Sequence, residues 1–270
     1  MRKIFLLLLL IAPRAFAADA SVAEGWKAIA DYRTDEGLRI FQRAAQSPDA
    51  SVARPARLGV GIALLTKQPV TADQVDEARK TFAELADSGT DDAAQAARFY
   101  LGRLAQHHQE TPDPAEAARQ FRRLIGEHEN SVWAQSALAR LALLILYELD
   151  LKKSPAERVA DAEKLLASAH LPSAEGELHI VIAEAIFFYR LPEQAALPHL
   201  LLAEKLGGFD RIGRADVLVQ IGELSRLAGN IEQAKKYYHL FLAENPRDTA
   251  NYTVRARLAE MEGHAIEAQK

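Results

Sequence analysis

Apolar positions along the chain recur at helical offsets, and one spacing repeats. A small residue is followed four positions on by an aromatic residue or leucine, and three further on by another small or apolar residue. It occurs as Gly37/Phe41/Ala44, Ala78/Phe82/Leu85, Ala117/Phe121/Leu124, Ala162/Leu166/Ala169, Ala196/Leu200/Ala203 and Ala234/Tyr238/Phe241. Offsets of four and three place these side chains on one helical face. The small residue admits a neighbouring helix, and the large one fills the space beside it. A second landmark, an apolar residue followed by a small one, lies in the preceding helix: Val60-Gly61, Leu101-Gly102, Leu141-Ala142, Ile182-Ala183 and Ile221-Gly222. Both landmarks return about every forty residues, the mark of a stacked repeat. A generic amphipathic bundle would keep the offsets without that register.

Boundary signals agree. Ser154-Pro155-Ala156-Glu157 and Asp113-Pro114-Ala115-Glu116 have the form of capping boxes with proline at the first helical position. Thr71 with Gln74 and Asn230 with Gln233 are weaker versions. Separators include Ser47-Pro48-Asp49, Asp87-Ser88-Gly89, Leu171-Pro172, Gly207-Gly208, Ala228-Gly229 and Asn245-Pro246. No segment alternates as a strand does. The pattern predicts thirteen helices: six antiparallel pairs and a last helix near 249–262. Two first helices are apolar nearly all round. Val132–Tyr147 is interrupted only by Gln135, Ser136 and Arg140, and Ile180–Tyr189 only by Glu184. Such helices are either buried on several sides or expose an apolar strip.

The first residues read differently. Arg2 and Lys3 precede the unbroken apolar run Ile4–Ala12, and Ala15-Phe16-Ala17 supplies small residues for cleavage. This is the layout of a secretory signal peptide, and nine apolar residues fall far short of the about 20 that span a bilayer. Residues 1–17 are therefore expected to be removed, leaving 18–270 as a single solenoid domain, periplasmic or secreted. Loss of Arg2, Lys3 and Arg14 takes the net charge from −4 to −7. That balance excludes a general nucleic-acid binder. The absence of cysteine excludes disulfides, thiolate metal sites, a cysteine nucleophile and a lipid-bearing N-terminal cysteine.

Residues Ala215–Asp248 carry a resemblance. Leu218, Ile221, Gly222, Gly229, Ala234, Tyr238, Phe241 and Pro246 fall at the spacings of a tetratricopeptide repeat, with Ser225 departing from the aromatic usual there. The longer period of the other units resembles bacterial envelope members of that superfamily. Ala93–Tyr147, with Ser131-Val132-Trp133-Ala134 opening a helix, is similar to repeats of the outer-membrane-protein assembly lipoprotein and of the periplasmic cell-division coordinator. The resemblance implies an all-α, right-handed superhelical solenoid of about six helix pairs with a C-terminal capping helix. It implies a non-catalytic scaffold whose first helices line a concave, peptide-binding groove. Carrying the Gly222 register across the repeats nominates Tyr100, Arg103, Arg140, Glu184, Phe187, Gln220, Glu223 and Arg226 as groove residues. Glu223 stands where chaperone-tail clamps carry asparagine, which argues against that ligand. The partner implied is an envelope protein or a second copy of this chain, in outer-membrane-protein assembly or in coordinating peptidoglycan synthesis with division.

Candidate chemistry is sparse. His107, His108 and Glu110 are the densest potential metal cluster, and they read as a solvated helix end. Gly207-Gly208 is followed by Phe209-Asp210 and not by a phosphate-loop pattern, and no Gly-x-Ser-x-Gly elbow occurs. The enzyme alternative is the superhelical part of a peptidoglycan-active enzyme. It requires a globular domain for which the repeats, running to about residue 262, leave no room. No enzymatic activity, cofactor or metal is expected.

Overall fold

The computed structural model describes residues 20–108 and 111–263, so the expected signal segment and Glu110 lie outside the described residues. Thirteen α-helices and no strand are found among the described residues. They are α1 (Ala20–Ala30), α2 (Thr34–Ala44), α3 (Ala50–Thr66), α4 (Ala72–Asp87), α5 (Asp92–His107), α6 (Pro114–Glu127), α7 (Val132–Tyr147), α8 (Pro155–Glu163), α9 (Pro172–Phe188), α10 (Ala196–Leu206), α11 (Arg211–Leu227), α12 (Ile231–Glu244) and α13 (Asn251–Met261). Consecutive helices pack on one another, and the contacts gather the described residues into two compact units divided within α7, one up to Ala134 and one from Gln135 on.

The two sequence landmarks prove to be the two halves of one contact. In the first unit, a Cβ added to Gly102 on α5 would stand 2.5 Å from the ring of Phe121 on α6, and one added to Gly25 equally close to Phe41. Gly61 on α3 meets Phe82 on α4 in the same way. In the second unit Gly222 on α11 stands against Tyr238 on α12, again leaving only 2.5 Å. The aromatic ring therefore sits directly on the partner helix backbone, where no methyl group fits. Where leucine replaces the ring at the first landmark, as at Leu166 and Leu200, the first-helix residue at the second is alanine, Ala142 and Ala183. Phe41, Phe82, Phe121 and Tyr238 are all at most 1% exposed.

Helix starts follow the expected caps, although neither Asp113 nor Asn230 completes a capping box. Thr71 and Ser154 form complete capping boxes with Gln74 and Glu157. Asp113 accepts from the Glu116 amide at 2.9 Å, but the returning arm is missing. The Glu116 carboxylate is drawn instead to Arg119 and to Gln120, which donates to it at 2.6 Å.

The fourth pair departs from the predicted repeat. Helix α8 ends at Glu163 and continues as a 3-10 turn, Lys164–Ser168, so Leu166 and Ala169 are only half-buried. Pro172 opens α9 and requires extended backbone at Leu171. The buried side chain of Gln135 fastens this turn. It donates to the Ser168 carbonyl at 2.9 Å and accepts from the amides of His170 and Leu171 at 2.7 and 3.1 Å.

Candidate protein-binding face

In the second unit, α7 from Gln135 on, α9 and α11 are the first helices of successive pairs. Each of the three leaves a stripe open at helical spacing. On α9 the stripe is Ser173, Glu177, Ile180, Glu184 and Phe187, with Leu178, Val181, Ile182, Ala183, Ala185 and Ile186 buried between. On α7 it is Ser136, Arg140, Leu143 and Tyr147, and on α11 Ile212, Asp216, Val219, Glu223 and Arg226. The offsets of four and three are the same on all three helices. The two nearly all-apolar helices are thus wrapped on most sides and open along one stripe: Leu146 is fully buried, whereas Leu143 is half-buried on the stripe.

The stripes carry charged and aromatic groups whose electrostatics reach from one helix to the next. Burial raises the Glu177 carboxyl above its usual range, opposed by the charge of Arg140 on α7. Glu184 is also raised, first by the protein atoms crowding it and then by Asp216 on α11. Solvent reaches both carboxylates. The Tyr147 hydroxyl is pushed up to about 12 by burial, with smaller contributions from Tyr189 and Glu184. The Tyr147 ring stacks on Tyr189 at 5.7 Å and meets Phe188 edge-on at 5.2 Å.

The nominated groove residues divide between the units. Arg140, Glu184, Phe187, Gln220, Glu223 and Arg226 lie on α7, α9 and α11 of the second unit. Glu223 and Arg226 are engaged within it. Glu223 accepts from the Tyr238 hydroxyl at 2.6 Å and from Arg226 at 2.5 and 3.1 Å. The Arg226 bond holds the Glu223 carboxyl below its ordinary range and raises the guanidinium. Tyr100 and Arg103 lie on α5 of the first unit. Tyr100 is half-buried and stacks on Phe82 at 5.4 Å, and burial raises its hydroxyl. Arg103 is 7% exposed and belongs to the interior of that helix layer.

One cluster was not visible in the sequence. His179 on α9 and His199 on α10 face each other with Nδ1 atoms 2.9 Å apart. Nε2 of His199 lies 3.3 Å from Glu163, and Nε2 of His179 lies 3.9 Å from Glu175. A single proton between the Nδ1 atoms serves this bond, so the packed pair excludes the doubly charged form. No group of three or more candidate metal ligands occurs among the described residues, and no described helix is long and apolar enough to cross a membrane.

Helix pairs locked by a small residue under a large one define a repeat protein of paired helices. Residues 216–248, spanning most of α11 and α12, match the tetratricopeptide repeat family. Among solved structures, the chain is similar to a thermophilic TPR protein from Thermus thermophilus. The likeness is at 17% identity, with 78% of this chain and 99% of that chain covered and a TM-score of 0.43. No curated protein matches the chain.

Proposed function

We propose that this protein is a non-catalytic interaction scaffold of the bacterial cell envelope, exported by its N-terminal segment. On this reading it holds a segment of another envelope protein against the first-helix face of its second unit. The observation that carries the reading is the shared register of the three open stripes on α7, α9 and α11. Helices otherwise wrapped in apolar neighbours keep Arg140, Leu143, Tyr147, Glu177, Ile180, Glu184, Phe187 and Asp216 within reach of solvent. Mixed aromatic, apolar and charged groups on rigid helices suit recognition of a peptide segment by a few anchors. The tetratricopeptide match at α11–α12 supports the same class of function. Roles in outer-membrane-protein assembly or in coordinating peptidoglycan synthesis with division are the finer forms of this proposal.

The test is photo-crosslinking in the native host, with a reactive amino acid at Tyr100, Phe187 or Gln220 and, as control, at Lys235 on α12. Adducts with one envelope protein from Phe187 and Gln220, absent from Lys235, are expected. Equal reaction at Lys235, or none anywhere, refutes the assignment of the face.

A further inference from the structure

The α9 stripe alternates carboxylates with apolar side chains, and its chemistry is specific at Glu184. Neither Glu177 nor Glu184 makes a hydrogen bond or ion pair among the described residues. Several acids elsewhere on the second unit are held by cations: Asp161 by Lys153 and Lys164, Glu204 and Glu244 by Arg214, and Glu223 by Arg226. The two stripe carboxylates also differ from each other. Glu177 faces Arg140, whereas the neighbouring charge at Glu184 is that of Asp216, of its own sign.

The wall beside Glu184 is aromatic. Phe188, one helical turn on from Glu184 and 63% exposed, packs against both Tyr147 and Tyr189. Carboxylates beside aromatic rings attract an ammonium or guanidinium group through charge and through the ring quadrupole. The same cluster already shows this chemistry internally, since the guanidinium of Arg158 lies 4.7 Å over the Tyr189 ring. Ile180 stands one turn before Glu184, about 6 Å along the helix axis. That distance is close to the about 6.6 Å between same-side residues of an extended chain.

We propose that this stripe docks an extended partner segment in which a lysine or arginine alternates with an apolar residue two positions away. The cation seats at Glu184 beside the exposed Phe188 ring, and the apolar side chain rests on Ile180. The proposal rests on the scaffold reading above and names the chemistry of what the scaffold holds. Charge complementarity selects the occupant: an acidic segment meets Glu177 and Glu184 together, and a purely apolar one leaves Glu184 desolvated without a partner.

The probe is a fluorescein-labelled peptide of three Leu-Ser-Lys-Ser repeats, with Leu-Ser-Glu-Ser repeats as its counterpart, titrated with the mature chain and read by fluorescence anisotropy. The lysine peptide is expected to bind more tightly than the glutamate peptide, and to weaken as salt is raised. Glu184→Gln keeps the side-chain shape and is expected to weaken binding about tenfold or more. Phe188→Ala, at an exposed position, is expected to weaken it too. Glu232→Gln on the exposed side of α12 is expected to leave it unchanged, and circular dichroism confirms that all variants are folded. Equal binding of the two peptides, no binding of either in the millimolar range, or equal affinities of the Glu184→Gln and Glu232→Gln variants overturns the proposal. A specific crosslink from Phe187 to a partner segment without lysine or arginine would leave the scaffold reading standing and sink this one alone.

Discussion

Replacing Gly102 by alanine tests the ring-on-glycine contact shared by the pairs α1–α2, α3–α4, α5–α6 and α11–α12. The new Cβ would lie 2.5, 2.8 and 2.9 Å from Cε1, Cζ and Cδ1 of Phe121. Carbon atoms in good contact sit about 3.5–4.0 Å apart, so the methyl group overlaps one edge of the ring by about 1 Å. Phe121 is 0% exposed and has no free space to enter, so α5 and α6 must part. Overpacking of this kind costs about 1–3 kcal/mol, and the better helix propensity of alanine returns about 1 kcal/mol. A net loss of up to about 2 kcal/mol is expected. Gly126, on α6, is the internal control: an added Cβ meets nothing within 4 Å, so Gly126→Ala should stabilise by up to about 1 kcal/mol. Both tryptophans of the chain, Trp26 and Trp133, lie in the first unit with these glycines. Urea unfolding followed by tryptophan fluorescence therefore reads the right part of the molecule. Adding Phe121→Leu to Gly102→Ala should recover part of the loss, reproducing the alanine–leucine pairing of Ala183 and Leu200. The reasoning is refuted if Gly102→Ala and Gly126→Ala stabilise alike.

Gln135→Ala removes the side chain that fastens the turn before α9 and leaves two amides and a carbonyl without their partner. A loss of at least about 2 kcal/mol is expected, with faster hydrogen exchange at His170 and Leu171 as the local readout. At the histidine pair, burial lowers both imidazoles, with His199 adding to the effect on His179, while Glu175 and Glu163 oppose it. The unfolded chain then binds more protons than the folded one below about pH 6.5. The pair's stability is therefore present above that pH and falls away as pH drops through the window beneath it. Thermal midpoints measured from pH 7.5 to pH 5 should fall more steeply in the wild type than in His179→Asn/His199→Asn; equal slopes would contradict the assignment. Tyr238→Phe removes a 2.6 Å bond to a charged acceptor and should cost about 1.5–3 kcal/mol in a urea titration followed by circular dichroism. Expressed with its first seventeen residues in a bacterial host, the chain should be recovered from the periplasm beginning at Ala18, as the intact mass will report.

The number and order of the helices were legible because each rests on local signals: caps, punctuating prolines and glycines, and the small–large–small face. The repeat register was legible because its two halves are each local, although their meeting at Gly102–Phe121 or Gly222–Tyr238 is a tertiary fact. Gly25 escaped the pattern because it is preceded by Glu24 and not by an apolar residue, yet it receives Phe41 as its counterparts receive their rings. The early end of α8 was not legible. It depends on Gln135, more than thirty residues away, capturing backbone groups that a continuing helix would have used. The His179–His199 contact was hidden for the same reason, since each residue alone reads as a packing histidine. For the candidate face, the sequence supplied helix faces but not burial. Arg103 and Arg140 carry the same side chain on first helices, and only the packing around them buries one and leaves the other within reach of solvent.

The most direct measurement of the central claim is a photo-crosslinker walked along the open positions of α9 and the exposed positions of its partner helix α10 in living cells. The account predicts adducts with one partner at Glu177, Ile180, Glu184 and Phe187, following the helical period, and none at Leu202 or Lys205. Adducts that ignore that period, or that arise equally from Leu202 and Lys205, would contradict it.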